Sequence, residues 1–218
     1  MKLPFTREQF LEVFKQYNTQ MFPVQIVFLL LAALVIYFVA RTSERSGKFI
    51  FFILGFLWIW MGAVYHIGFF SAINEAAIAF GALFILEGVL LLIYAFRPTR
   101  FSFHKNLTTV TSVALLAYSL VVYPIIGHLA GHDYPYSPTF GLPCPTTIFT
   151  LAILLLVQNK LPFHIVVIPL LWTVIGFSAA FSLGIYEDAA LIVSGLVFVF
   201  LNSAKTKAAN AVGDHTIM

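Results

Sequence analysis

Residues 138–157 read PTFGLPCPTTIFTLAILLLV. From Thr146 to Val157 this stretch offers 12 residues of uninterrupted helix former, about 18 Å of helix at 1.5 Å per residue. A bilayer hydrocarbon core is about 30 Å thick, so that helix alone does not cross it. Upstream, Pro138, Gly141, Pro143 and Pro145 forbid a regular helix, although the segment is apolar enough to enter a membrane. Irregular backbone at membrane depth survives only when it is buried in protein or lines a wet cavity. The stretch therefore predicts a discontinuous span whose helix starts near Pro145 or Thr146, with its N-terminus aimed into the membrane. The rest of the chain must enclose it.

Composition agrees. The 218 residues are 61% hydrophobic and only 10% charged, against roughly a quarter charged in a soluble domain. A mean hydropathy of +0.95 points to lipid as the solvent. Seven apolar runs fall at about 22–40, 49–70, 76–96, 107–130, 142–158, 163–184 and 188–203. The fold class expected is all-α: a polytopic membrane bundle of seven spans, the fifth discontinuous, with a short amphipathic helix in front. The connections alternate in charge. Arg41, Arg45 and Lys48 (against Glu44), then Arg97, Arg100 and Lys105, then Lys160, then Lys205 and Lys207 mark one side; Glu75, Asp133 with His132, and Glu187 with Asp188 mark the other. The positive-inside rule then puts the N-terminus outside and the C-terminus inside a cytoplasmic membrane. That orientation requires Lys2, Arg7 and Lys15 to be translocated. The first long apolar run begins only at Met21, so insertion is expected to use the internal spans and not a cleavable leader.

In front of the spans, Phe10, Val13, Phe14 and Tyr17 repeat at helical spacing, and Thr6 with Gln9 has capping-box spacing. Residues 1–20 are expected to form an amphipathic helix at the interface or over the bundle, 21–204 the transmembrane domain, and 205–218 a cytoplasmic tail.

The candidate site residues lie toward the outer side. Cys144, Thr146 and Thr147 stand at a helix start that favours anions or a thiolate, while a small buried thiol is the plainer reading of Cys144. His66, His128 and His132 with Cys144 form a ligand set suited to Zn or Cu, with haem held by facing histidines as a lesser option. Glu87, about 16 Å into the third span, is a functional-site candidate or a protonated structural residue. Trp58, Trp60 and Trp172 fall near mid-span and need acceptors for their indole N–H groups. Glu87 or the Thr108, Thr111, Ser112 and Ser119 face is expected to supply them, and Trp60 joins the ligand-binding candidates. One cysteine excludes a disulfide framework. There is no P-loop, dinucleotide fingerprint, HExxH or nucleophile elbow, and the scattered basic residues do not form a nucleic-acid surface.

Residues 4–10 (PFTREQF) running to Tyr17 and Asn18, residues 138–147 (PTFGLPCPTT), residues 60–62 before Tyr65 and His66, and residues 184–188 (GIYED) together resemble an uncharacterised prokaryotic family of small multi-spanning membrane proteins, a domain of unknown function. The resemblance spans nearly the whole chain and implies no activity or substrate. Chemistry alone then favours an outward-facing polar site that binds a small solute or metal ion, with its transport as the extension of that reading. A membrane-embedded redox or thiol enzyme and a structural or signalling partner are the alternatives. Gly62 and Gly81 suit close helix packing within the chain or in a homo-oligomer.

Overall fold

A computed structural model of the chain describes residues 3–41, 43–101 and 106–214. Lys2, Lys105 and residues 215–218 lie outside the described residues, as do the side chains of Glu44 and Lys207. Among the described residues the architecture is all-helical, and extended pairing is limited to isolated bridges joining Phe101 to Val157 and Phe140 to Leu142.

Helix α1 (Arg7–Gln20) starts at the expected cap. Gln9 N–H donates to Thr6 Oγ1 at 3.3 Å, and Thr6 N–H donates to Gln9 Oε1 at 2.8 Å, which satisfies two otherwise orphaned donors. Then follow α2 (Val24–Arg41), α3 (Glu44–Trp60), α4 (Ala76–Tyr94), α5 (Leu107–Ala117), α6 (Tyr123–Leu129), α7 (Pro143–Leu155), α8 (Val167–Leu183) and α9 (Ala189–Asp214). Helix α3 continues through π-helical turns over Met61–Phe69, and α5 runs into α6 through a π-helical turn over Tyr118–Val122. Pro124 accounts for the second of these, because it lacks an N–H and its ring displaces the carbonyl four residues back.

Six of the described helical stretches are long and apolar enough to cross a membrane: Val24–Arg41, Arg45–Ala72, Ala76–Tyr94, Leu107–Leu129, Phe163–Leu183 and Tyr186–Lys205. Their outward faces expose Leu30, Ile93, Val110, Phe181 and Phe200, the lipid-facing surface of a multi-pass membrane protein. The expected count of seven is thus six full-length helices plus α7. That helix has 13 residues, about 20 Å, and its side chains from Pro145 to Leu155 are all buried. It packs against α5, α8 and α9 and forms the axis of the bundle.

The α7 helix starts earlier than the sequence suggested. Leu142 is the N-cap and Pro143 the first helical residue; first-turn N–H groups have no intrahelical partner, so Pro143 and Pro145 cost no hydrogen bond there. At the other end, the Lys205 ammonium donates to the Leu155 and Val157 carbonyls, a cation placed on the negative end of a helix. Gln158 N–H donates to the Arg100 carbonyl at 2.8 Å, so the basic connections and Lys205 gather at one end of the bundle. Gly62 and Gly81 serve packing within the chain, since a Cβ on Gly62 would lie 2.5 Å from the Gly81 carbonyl oxygen. Helix α9 runs past the expected span end at 203, because residues 204–212 are rich in alanine, a strong helix former.

Gly141 fixes the entry into α7. Its φ is +99°, and a Cβ there would lie 2.0 Å from the Phe28 ring. Gly141→Ala is expected to destabilise the protein by about 2 kcal/mol or more, read as a lower thermal midpoint in detergent, with Gly131→Ala as a control whose Cβ meets nothing within 4 Å although its φ is also positive.

Candidate functional site

The N-terminus of α7 faces a cavity of about 380 Å³. Pro143 and Cys144 form one side. Tyr65, His66 and Phe70 enter from the π-helical end of α3, Phe80 from α4, Trp172 and Gly176 from α8, and Asp188 from the turn between α8 and α9. Pro4, Phe5, Phe10 and Phe14 close it from the N-terminal segment. Phe5 packs edge-on to Phe70 with ring centres 5.4 Å apart, and Phe14 stacks on Tyr65 at 6.1 Å, so α1 is a cover held by aromatic contacts. The exposed lining residues are Pro4 ahead of α1, Ala76 at the start of α4, and Val174, Ser178 and Ser182 on α8, so the mouth lies between α4 and α8 beside the N-terminal segment. A larger, shallow groove of about 560 Å³ between α8 and α9 offers only Thr173 and Ser203 as polar side chains and lies on the lipid-facing surface.

Among the described residues, one lining residue carries polar atoms with nothing to bond. Neither nitrogen of His66 has a hydrogen-bond partner among them, whereas the Trp172 indole N–H is directed at the Cys144 thiol. The His66 ring is boxed by Phe84 at 4.6 Å and Trp172 at 5.1 Å. Native proteins satisfy almost all such groups, so an unpaired imidazole on a cavity wall is open to a ligand or a water molecule.

A buried acidic turn completes the site. Tyr123 donates to Asp188 Oδ1, and the Cys144 thiol reaches the same carboxyl. Next to it, Arg7 lies 2.8 Å from His132 Nε2, and His132 Nδ1 lies 2.8 Å from Glu187 Oε1. A guanidinium cannot accept, so Nε2 accepts from Arg7 and the Nδ1 proton goes to Glu187. His132 is therefore a neutral bridge between a cation on α1 and a carboxylate on the α8–α9 turn. Tyr118 fixes that turn by donating to the Glu187 carbonyl at 2.7 Å.

Asn18 ties α1 to the irregular loop ahead of α7. Its amide donates to the Pro135 and Ser137 carbonyls, both at 2.8 Å, and its Oδ1 accepts from Thr139 at 2.9 Å. At the preceding residue, Trp60 Nε1 donates to the Tyr17 hydroxyl at 2.9 Å. Burial pushes the Tyr17 phenol up to about 12, with the bond from Trp60 acting against that rise.

The structure sorts the sequence-based candidates. His66 and Cys144 meet on one cavity. His128 does not join them: it pairs with Asp133 on the surface, where both are exposed. His128 and His132 do not share a helix face, since α6 ends at Leu129 and Gly131 turns the chain at φ +82°. The set His66, His128, His132 and Cys144 is therefore split, and among the described residues no three His, Cys, Asp or Glu side chains gather to hold a metal ion. Thr146 is committed to its own loop, accepting from Gly141 N–H at 3.0 Å. Thr147 and Glu87 are buried away from the cavity lining, and their side-chain oxygens are unpartnered. The tryptophans use neither Glu87 nor the Thr108–Ser119 face: Trp58 donates to Thr150 at 3.1 Å and Trp60 to Tyr17. Asp188, Trp172 and Asn18 were not legible as site residues, because nothing in one sequence says that α1, α8 and the loop before α7 meet.

The match of a family model to residues 7–212 covers α1, the cavity lining apart from Leu3, Pro4 and Phe5, and nearly all of α9. The chain belongs to DUF6064, a family of unknown function. No curated protein and no solved structure matches it. The family thus fixes kinship over the site and leaves its chemistry to the geometry.

Removing Arg7 leaves a buried His132 nitrogen without its donor. Arg7→Ala is expected to cost about 1–3 kcal/mol, and Asn18→Ala more, because it strips four side-chain bonds at once, the fourth a donation from Gln25 Nε2 to Asn18 Oδ1. Thermal midpoints in detergent should fall in that order, and limited proteolysis should cut near α1 earlier in both variants than in wild type.

Proposed function

We propose that this chain is a binding protein of the cytoplasmic membrane that takes a small, lipid-soluble molecule into the cavity beneath α1. The observation that carries the reading is the His66 imidazole, both nitrogens without a partner among the described residues, on a largely apolar wall. Pockets of this kind, largely apolar with a few convergent polar groups, are what small-molecule recognition uses. The mouth between α4 and α8 favours entry from the lipid and not from bulk water. Binding is favoured over passage, because the lining ends at Cys144 and the α7 side chains beyond it are buried in packed protein.

Orientation follows from the basic end of the bundle. With Arg41, Lys48, Arg97 and Lys205 inside, the cavity opens in the outer half of the membrane and α7 with its loop makes the fifth of seven crossings. Metal binding is not part of the proposal, since the histidines are divided.

The test is mass spectrometry of solvent extracts from the purified protein. Wild type is expected to retain one organic species at about one per chain, and Ser178→Trp, a substitution at the exposed mouth, is expected to lose it. An extract with no retained species, or an equal yield from Ser178→Trp, would overturn the reading. Orientation has its own check in the exposed Tyr186 of the α8–α9 turn: in Tyr186→Cys a small membrane-impermeant thiosulfonate should label above the wild-type level in sealed cells, and labelling only after permeabilisation would reverse the topology.

A further inference from the structure

The charges around the cavity do not balance. Glu187 is matched by Arg7 through neutral His132. Asp188, the next residue, is buried and lines the cavity, and among the described residues the side chains that act on it are Tyr123, Cys144 and Glu187, none of them basic. Tyr123 donates to one of its oxygens, which satisfies hydrogen bonding there but supplies no positive charge. A buried carboxylate without a cation is expensive, since removing an ion from water costs several kcal/mol unless a partner charge is close.

The rest of the wall shows what could bring that charge. Trp172 faces the cavity with Phe80, their ring centres 5.6 Å apart. Across from them stand Tyr65 and Phe70, stacked at 5.9 Å, with Phe5 closing over Phe70. Aromatic faces attract an organic cation through their ring quadrupoles, tryptophan most strongly, and the attraction grows once the cation leaves water. An inorganic ion would need several oxygen ligands at short range, and among the described residues no such cluster exists.

We infer that the cavity is a site for an organic cation, a quaternary or protonated amine with an apolar body, whose charge sits between Asp188 and the aromatic wall. The inference rests on the binding reading above and names its ligand class. The cation's positive centre faces the Asp188 carboxylate, its methyl or methylene groups meet Trp172 and Tyr65, and its apolar body extends toward the mouth between α4 and α8. Binding then completes the charge balance of the buried layer.

The experiment uses the full chain in lipid nanodiscs and radiolabelled benzyltrimethylammonium in equilibrium dialysis, with neopentylbenzene, its uncharged isostere, as competitor. Saturable binding near one per chain is expected, with the isostere competing at least about tenfold more weakly, a difference of about 1.4 kcal/mol. Asp188→Asn is expected to weaken binding by about tenfold or more, and Trp172→Phe by a few-fold. Equal competition by the isostere, or unchanged affinity in a folded Asp188→Asn, would overturn the cation inference and leave the binding reading standing. Failure of the cation to bind, while neopentylbenzene shifts tryptophan fluorescence in wild type and not in Ser178→Trp, would do the same. If neither compound interacts, both readings fall. The cation–isostere comparison needs only wild-type protein, so a variant that fails to fold does not remove the test.

Discussion

Lipid offers no hydrogen-bond partner to an exposed peptide group, and this organises the whole bundle. The loop before α7 and the α7 ends carry backbone groups that a regular helix would have satisfied internally. Placed against lipid, each would cost several kcal/mol. The fold instead puts α7 at the centre and wraps it in α5, α8 and α9. Thr146 takes the Gly141 N–H, Asn18 takes the Pro135 and Ser137 carbonyls, and Lys205 takes those of Leu155 and Val157. Six longer helices can face lipid because a seventh, shorter one does not.

The same constraint makes the cavity. A helix as short as α7 leaves a volume beyond its N-terminus that straight, full-length helices would fill. Here the π-helical turns of α3 bring Tyr65 and His66 to that volume, α8 brings Trp172, and α1 covers it with phenylalanines. π-helical turns inside α-helices occur frequently at functional sites. In this chain the turn carries a histidine whose nitrogens have no protein partner, which ties the irregular backbone to the site.

The acidic turn between α8 and α9 joins cover to bundle. Glu187 and Asp188 are adjacent and both buried, yet they play different parts. Glu187 is linked through His132 to Arg7 and so holds α1 in place. Among the described residues, the donors that reach Asp188 are the uncharged Tyr123 and Cys144. One carboxylate closes the structure, and the other is left facing the cavity. Because α1 is both the cover and the bearer of Arg7, the integrity of the site and the docking of the N-terminal segment are one property.

The sequence by itself determined the solvent, the helical class, the capping box at Thr6 and Gln9, the alternation of basic and acidic connections, and the break before α7. Each of these is a local signal: apolar run length, cap spacing, charge per loop, or proline and glycine in a short stretch. It also marked His66 and Cys144, since an imidazole and a thiol in apolar surroundings stand out without any structure. It misled where a local pattern depended on its continuation, as with His128 and His132, whose spacing means a shared face only if the helix runs on past Gly131. Only the tertiary structure decided that α7 is a buried axis, that Trp58 and Trp60 bond to Thr150 and Tyr17, that Arg7 reaches Glu187 through His132, and that Asp188 and Trp172 share a cavity with His66 and Cys144. Those partners lie tens to more than a hundred residues apart in the chain, and their meeting depends on how helices rotate and pack about α7, which no local periodicity encodes.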